Sequence, residues 1–208
     1  MNLTRSVRLA LVVALVAECA AAVEQAYAVV GSESRLTIHV GRAGLFKFAG
    51  HEHEVLAQPI AGRIAADPDA LERSTVSLDF ESAALRVSGE GEPPEDVPKV
   101  QEAMLGPKVL DALGFPAISF KSTHVIGKVL AAPGHYELRV QGDLSVRGVA
   151  HPMTVPLQVE LGADRLVARG RTSVRQSAFG ITPISIAGVV KVKDELAIDF
   201  EIVARRED

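Results

Sequence analysis

The chain has 208 residues and a formal net charge of −4, enough for one β domain with a sizeable core and without the basic footprint that a nucleic-acid binder needs for phosphates. Aromatic residues make up 4% with no Trp, which argues against stacking platforms for bases or sugar rings. The interior has to be built from Val, Leu, Ile and Ala.

Residues 1–28 read as an export signal, with Arg5 and Arg8 as a positive start, a short apolar run over 9–17, and Ala26-Tyr27-Ala28 as an A-x-A cleavage site. The run is shorter than the ~20 residues of a bilayer span, so no integral membrane protein is expected. The expected address is periplasmic or secreted, with the mature domain over 29–208. Glu18 and Glu24 sit awkwardly in a leader tail, and a cut after Ala22 is the alternative. Cys19 is the single cysteine, and lipidation there would place Glu18 where a small residue is expected. The mature chain then has no disulfide framework and no Cys-based zinc site or nucleophile.

Beyond the leader, Leu36, Ile38 and Val40 alternate with polar residues as a strand does, with Gly41 and Gly44 at its end. Phe46 and Phe48 share the face of the next strand, which leads into Gly50-His51-Glu52-His53-Glu54. Ile60, Gly62 and Ile64 form a third strand, closed by the turn composition Asp67-Pro68-Asp69. Val76, Leu78 and Phe80 form a fourth, running raggedly to Val87.

The alternation breaks over residues 88–116, where Asp96 is placed to cap a short helix with Pro98 in its first turn and Val100 and Met104 on one side. Gly106-Pro107 stops it, and a second short helical stretch is expected over 108–113. Ile118, Phe120 and Ser122, with His124 as a candidate continuation, take one face of the following strand.

Residues 135–161 carry the cleanest pattern. Leu138, Val140, Gly142, Leu144 and Val146 share a face, and so do Met153, Val155, Leu157, Val159 and Leu161, with Gly148 and Pro152 bracketing the reversal. Such a pair is an antiparallel hairpin, and a slip of one residue would turn either apolar set out to water. Leu166, Ala168, Gly170, Thr172 and Val174 follow on one face of a strand whose other face holds Arg165, Arg169, Arg171 and Arg175. A terminal hairpin turning at Asp194-Glu195 is expected to close the sheet. About nine or ten strands against two short helices point to an all-β barrel or sandwich.

The run Gly142-Asp-Leu-Ser-Val-Arg-Gly-Val-Ala-His-Pro-Met-Thr-Val-Pro156 resembles the central hairpin signature of the YceI-like family, and residues 104–122 and 173–181 resemble two further motifs of it. The resemblance implies an exported, antiparallel lipocalin-like β-barrel with a short helical insertion, without a cofactor, that binds a polyisoprenoid or other long-chain lipid. With that ligand in mind the inward residues Phe46, Phe48, Ile118, Phe120, Leu144, Val146, Val155 and Leu157 are the candidate lining. Arg175 and Phe179 are candidates at the mouth, where a guanidinium offers a planar fork of donors to a head group. The acid that often precedes the aromatic residue in the family is Ala178 here.

Other chemistry is thinly supported. His51 and His53 project from one face ~6.5 Å apart if they lie on a strand, and with a third ligand they would make a metal-dependent enzyme; a polar turn at the barrel rim is the plainer reading. There is no G-x-S-x-G elbow, P-loop or G-x-G-x-x-G run. Alternation does not separate a hollow barrel from a filled one, so a ligand-free scaffold also remains an alternative. Oligomeric state is not legible in the chain.

Overall fold

The hairpin expected at residues 135–161 forms residue for residue, with Leu138 opposite Leu157, Val140 opposite Val155 and Gly142 opposite Met153. Its reversal is the two-residue turn Arg147-Gly148, both with positive φ, +50° and +72°, as a type I′ turn requires. Pro152 therefore lies inside the second strand rather than at the turn, opposite Asp143.

The computed structural model describes residues 25–43, 53–90, 93–186 and 190–207. Its elements are β1 (Gln25–Val29), β2 (Arg35–Ala43), β3 (His53–Leu56), β4 (Ala61–Ala66), β5 (Thr75–Glu81), β6 (Arg86–Val87), α1 (Val97–Leu105), β7 (Ala117–Val129), β8 (His135–Val146), β9 (Val149–Leu161), β10 (Arg165–Arg175), β11 (Ser185–Ile186) and β12 (Val190–Arg206). Single 3-10 turns cover Leu71–Arg73, Ser82–Ala84 and Gln176–Phe179.

Neighbouring strands run β1-β4-β5-β7-β8-β9-β10-β12, and β12 pairs back onto β1, so the sheet closes into an eight-stranded antiparallel barrel. Closure removes the sheet edges that an open sheet would leave unpaired. β2 continues the line of β1 along β12, and β3 lies beside β2.

Three departures from the expected pattern have physical reasons. In β7 the ladder against β8 shifts between Ser122 and His124, and this bulge turns the strand by one residue. Val125 consequently points inward, 3% exposed, and His124 faces out. The expected hairpin at Asp194-Glu195 is instead one continuous strand of 17 residues. Its register slips against β2 between Val192 and Leu196, while the ladder to β10 runs on through Glu195. The turn-forming Asp194 is engaged elsewhere, accepting the Ser177 N–H at 2.8 Å and its hydroxyl at 2.7 Å. Those bonds hold the Asp194 carboxyl below the usual carboxylate range. The insertion, thirdly, has one α-helix and then turns over 107–114, with no second helix. Asp96 makes no side-chain cap bond, and its carboxylate meets Lys99 Nζ at 2.8 Å.

The helix closes one end of the barrel. Val97, Val100, Met104 and Leu105 pack on a cluster of Val55, Leu85, Val87, Leu110 and Ile118. Gln101 acts there as a substitute strand edge for β6, accepting the Val87 N–H at 2.8 Å and donating to the Leu85 carbonyl at 2.9 Å. At the opposite end Tyr27, Ile60, Ile64, Tyr136, Leu166 and Ile202 form the second cluster. The 3-10 turn Leu71–Arg73 covers it, stapled by Asp67, which accepts from the Ala70 N–H at 3.0 Å and from Arg73 Nε at 2.8 Å.

Between the two ends, large side chains lean over glycines on the neighbouring strand. Phe200 lies opposite Gly170, and a Cβ on Gly170 would come 2.6 Å from that ring and 2.6 Å from the Pro156 carbonyl oxygen. The ring could swing away, but the backbone carbonyl could not. Gly170→Ala is therefore expected to cost about 1 to 3 kcal/mol of stability, read as a lowered urea midpoint.

Candidate functional site

Alternation puts one face of every barrel strand inside, and near mid-height these faces do not fill the space. A cavity of about 160 Å³ remains, lined by Leu78 and Phe80 of β5, Phe120 of β7, Val140 and Leu144 of β8, Val155 and Leu157 of β9, Ala168 of β10 and Phe200 of β12, among others. Its few polar neighbours include Asp67, Ser74 and Thr172, and Asp67 is already bonded within its own turn. At about 24 cal/mol per Å³ a void of this size costs roughly 4 kcal/mol in an ordinary core.

The structure distributes the residues expected from the sequence over three places. Phe120, Leu144, Val155 and Leu157 line the cavity. Ile118 and Val146 point the same way one step nearer the helix, and belong to the cluster beneath α1. Arg175 and Phe179 lie outside the wall, in a cleft of about 420 Å³ between β9 and β10. Phe46 and Phe48 fall outside the described residues, as does His51. Leu138, Val140, Met153 and Val159, on the inward faces that the alternation predicts, also line the cavity. Val125 was hidden by the bulge.

His51 lies outside the described residues, so the pair itself is not placed. Glu54, next to His53, meets His39 Nδ1 at 3.2 Å, and the other His39 nitrogen meets Asp199 at 2.9 Å. Among the described residues no three His, Cys, Asp or Glu side chains gather closely enough to hold a metal ion. Arg171 binds the same Asp199, and these bonds hold its carboxyl below the usual range, Arg171 acting most strongly.

The sequence of residues 27–204, which spans the barrel and the helical insertion, matches the family model of the YceI-like domain. The chain belongs to the YceI-like domain family. Solved structures similar to it have the same barrel. BcnA of Burkholderia cenocepacia superposes with a TM-score of 0.64 at 20% identity, over 84% of this chain and 98% of that one. A polyisoprenoid binding domain from Saccharophagus degradans, implicated in plant cell wall breakdown, gives 0.65 at 10% identity, over 88% and 100%. The YCEI protein of Campylobacter jejuni gives 0.58 at 13%, over 74% and 85%. At these identities the likeness speaks to the fold of this YceI-like chain. No curated protein sequence matches it.

Proposed function

We propose that this YceI-like protein is an exported, non-enzymatic carrier or sensor that holds a long apolar lipid, of polyisoprenoid or isoprenoid quinone type, inside its barrel. The observation that carries the reading is the cavity of about 160 Å³ walled almost entirely by aliphatic and aromatic side chains. Its similarity to the Saccharophagus degradans domain, which is named for polyisoprenoid binding, suggests the class of occupant. As it stands the cavity is smaller than the ~300 Å³ at which ligand pockets commonly begin. Loading a long chain therefore requires lining side chains to change rotamer, with Met153 and Leu144 the most easily moved.

The outer face supports a barrel that works in water. Arg169 lies between Glu160 at 2.8 Å and Glu201, and Arg205 meets Glu33 at 2.8 Å. In a membrane-embedded barrel an outward Arg at the bilayer midplane would cost about 2 to 4 kcal/mol. Among the described residues no helix is long and apolar enough to cross a membrane.

Export rests on the leader read from the sequence, whose residues 1–24 and Cys19 fall outside the described ones. Residues 25–28 belong to β1 and pair with β4. We therefore favour cleavage after Ala22, which keeps that strand whole, over cleavage after Ala28, which divides it.

The test is solvent extraction of protein purified without detergent or denaturant, followed by mass spectrometry. A stoichiometric prenyl lipid is expected. Folded protein that yields no lipid and takes up none on titration with geranylgeraniol would leave a ligand-free scaffold. A further expectation concerns His53→Ala, which should leave lipid uptake within a few-fold of wild type; coupled loss of a stoichiometric metal and of function would restore the enzyme reading.

A further inference from the structure

The barrel wall has a seam. β9 and β10 are paired from Leu161 opposite Leu166 as far as Leu157 opposite Gly170, and there the ladder stops, although β9 runs back to Val149 and β10 on to Arg175. The cause is legible in the chain. In a hairpin closed by Val146 and Val149, the odd residues of β9 donate to β8 and the even ones face β10. Pro152 and Pro156 are both even. Each lacks the N–H that the next rungs would need.

The 3-10 turn Gln176–Phe179 occupies the gap outside this seam. Among the described residues its side-chain hydrogen bonds run to β12, Gln176 Nε2 donating to the Lys193 carbonyl at 2.9 Å and Ser177 bonding to Asp194. Phe179, 4% exposed, meets the β9 side through an edge contact with His151, ring centroids 5.9 Å apart. Met153 lines both the outer cleft and the inner cavity. Its flexible thioether borders both, opposite Gly142, over which the Phe120 ring leans. The ends of the barrel are covered by other elements, one by the cluster beneath α1 and the other by the turn stapled on Asp67, which also borders the cavity.

Arg175 stands at this cleft in a state unlike its neighbours. Arg165 meets Glu33, Arg169 meets Glu160 and Glu201, and Arg171 meets Asp199. Among the described residues no hydrogen bond or ion pair within 4.0 Å engages the Arg175 guanidinium, which is exposed. The surroundings also restrict what it can receive. Glu195 lines the same cleft, opposite Arg175 in register, and Asp194 lies next to it. Two carboxylates beside one guanidinium disfavour a dianionic head group.

We propose that the seam between β9 and β10 is the side entrance of the barrel, where the chain of the lipid passes Met153 into the cavity and a neutral, hydrogen-bond-accepting head group stays in the cleft against Arg175. The proposal rests on the lipid reading above. It goes beyond that reading in fixing the entrance, the residue that gates it and the chemistry of the head.

The probes that test it are geranylgeranylacetone, which carries a neutral ketone, phytane, a plain hydrocarbon, and geranylgeranyl diphosphate, each measured by stopped-flow displacement of N-phenyl-1-naphthylamine. Wild type is expected to bind the ketone about tenfold more tightly than phytane, the contribution of one hydrogen bond from a charged donor, and more tightly than the diphosphate. Arg175→Met should bring the ketone to the level of phytane and leave phytane unchanged. Met153→Trp should slow both loading and release several-fold at nearly constant affinity, and Met153→Ala, which carries no folding risk from added bulk, should speed both. Unchanged rates in Met153→Ala would place the entrance elsewhere and overturn the gate. A diphosphate bound more tightly than the ketone would overturn the neutral head. If wild type binds none of the three, the lipid reading itself fails and the entrance with it.

Discussion

Leu144→Trp is expected to abolish lipid uptake while lowering the melting temperature by no more than its one unpartnered indole N–H costs. Leu144 lies opposite Phe120 on β7 and His151 on β9, and its side chain borders the cavity of about 160 Å³. A bulkier ring grown from that position occupies the space the lipid chain would use. In a filled core the same substitution would overpack and cost about 1 to 3 kcal/mol. The indole N–H adds one complication, since a buried donor without a partner costs about 1 to 3 kcal/mol by itself. Leu144→Phe carries no such donor and serves as the companion variant. Lost uptake with an unchanged melting temperature in Leu144→Phe assigns the cavity to the ligand; a lowered melting temperature with uptake intact in both variants would place the ligand elsewhere.

Tyr27→Ala should produce the largest loss of stability of any single truncation in the barrel. Tyr27 is 0% exposed and sits in the cluster that closes the end opposite α1. Its hydroxyl donates to Gln25 Oε1 at 2.7 Å, and burial raises the phenol above its ordinary pKa. Removing a large buried ring typically costs about 3 to 5 kcal/mol, which for a domain of this size lowers the melting temperature by roughly 10 °C. The strand around it makes the point sharper. Tyr27, Ala28 and Val29 pair with β12, and residues 25–28 pair with β4, so β1 is the strand that closes the barrel. A protein trimmed to begin at Val29 would lose the Tyr27 ring together with most of that closure. Under the export proposed above, the mature protein is accordingly expected to begin at Val23, and N-terminal sequencing checks it. A native N-terminus at Val29 on a protein as stable as one starting at Val23 would refute this role for β1.

Much of the barrel was legible because its strands are half-buried, so the two-residue period of apolar side chains is written directly into the chain. β8 and β9 show it best, since both faces of their hairpin are consistently apolar or polar. Where the period is disturbed, the reading fails in identifiable ways. Four polar residues in a row, Lys121, Ser122, Thr123 and His124, conceal the bulge, because any of them could face water. Asp194 and Glu195 look like a turn, yet Asp194 spends its acceptors on Ser177 and the strand runs through. Ala26-Tyr27-Ala28 satisfies a cleavage pattern and also lies in β1, and the burial of Tyr27 depends on partners far along the chain. Gln101, Phe179 and Arg175 acquire their roles only through such distant contacts. Whether the barrel is hollow was not legible at all, since identical alternation lines a full core and an empty one.

The central claim is that the interior of the barrel is kept open for a lipid chain. Native mass spectrometry of wild type and Leu144→Phe, expressed with the leader intact and released gently from the same cells, tests it most directly. Wild type should carry a prenyl-lipid adduct near one equivalent and Leu144→Phe should carry none, with both folded. Two ligand-free spectra, or the same adduct at the same occupancy on both proteins, would contradict it.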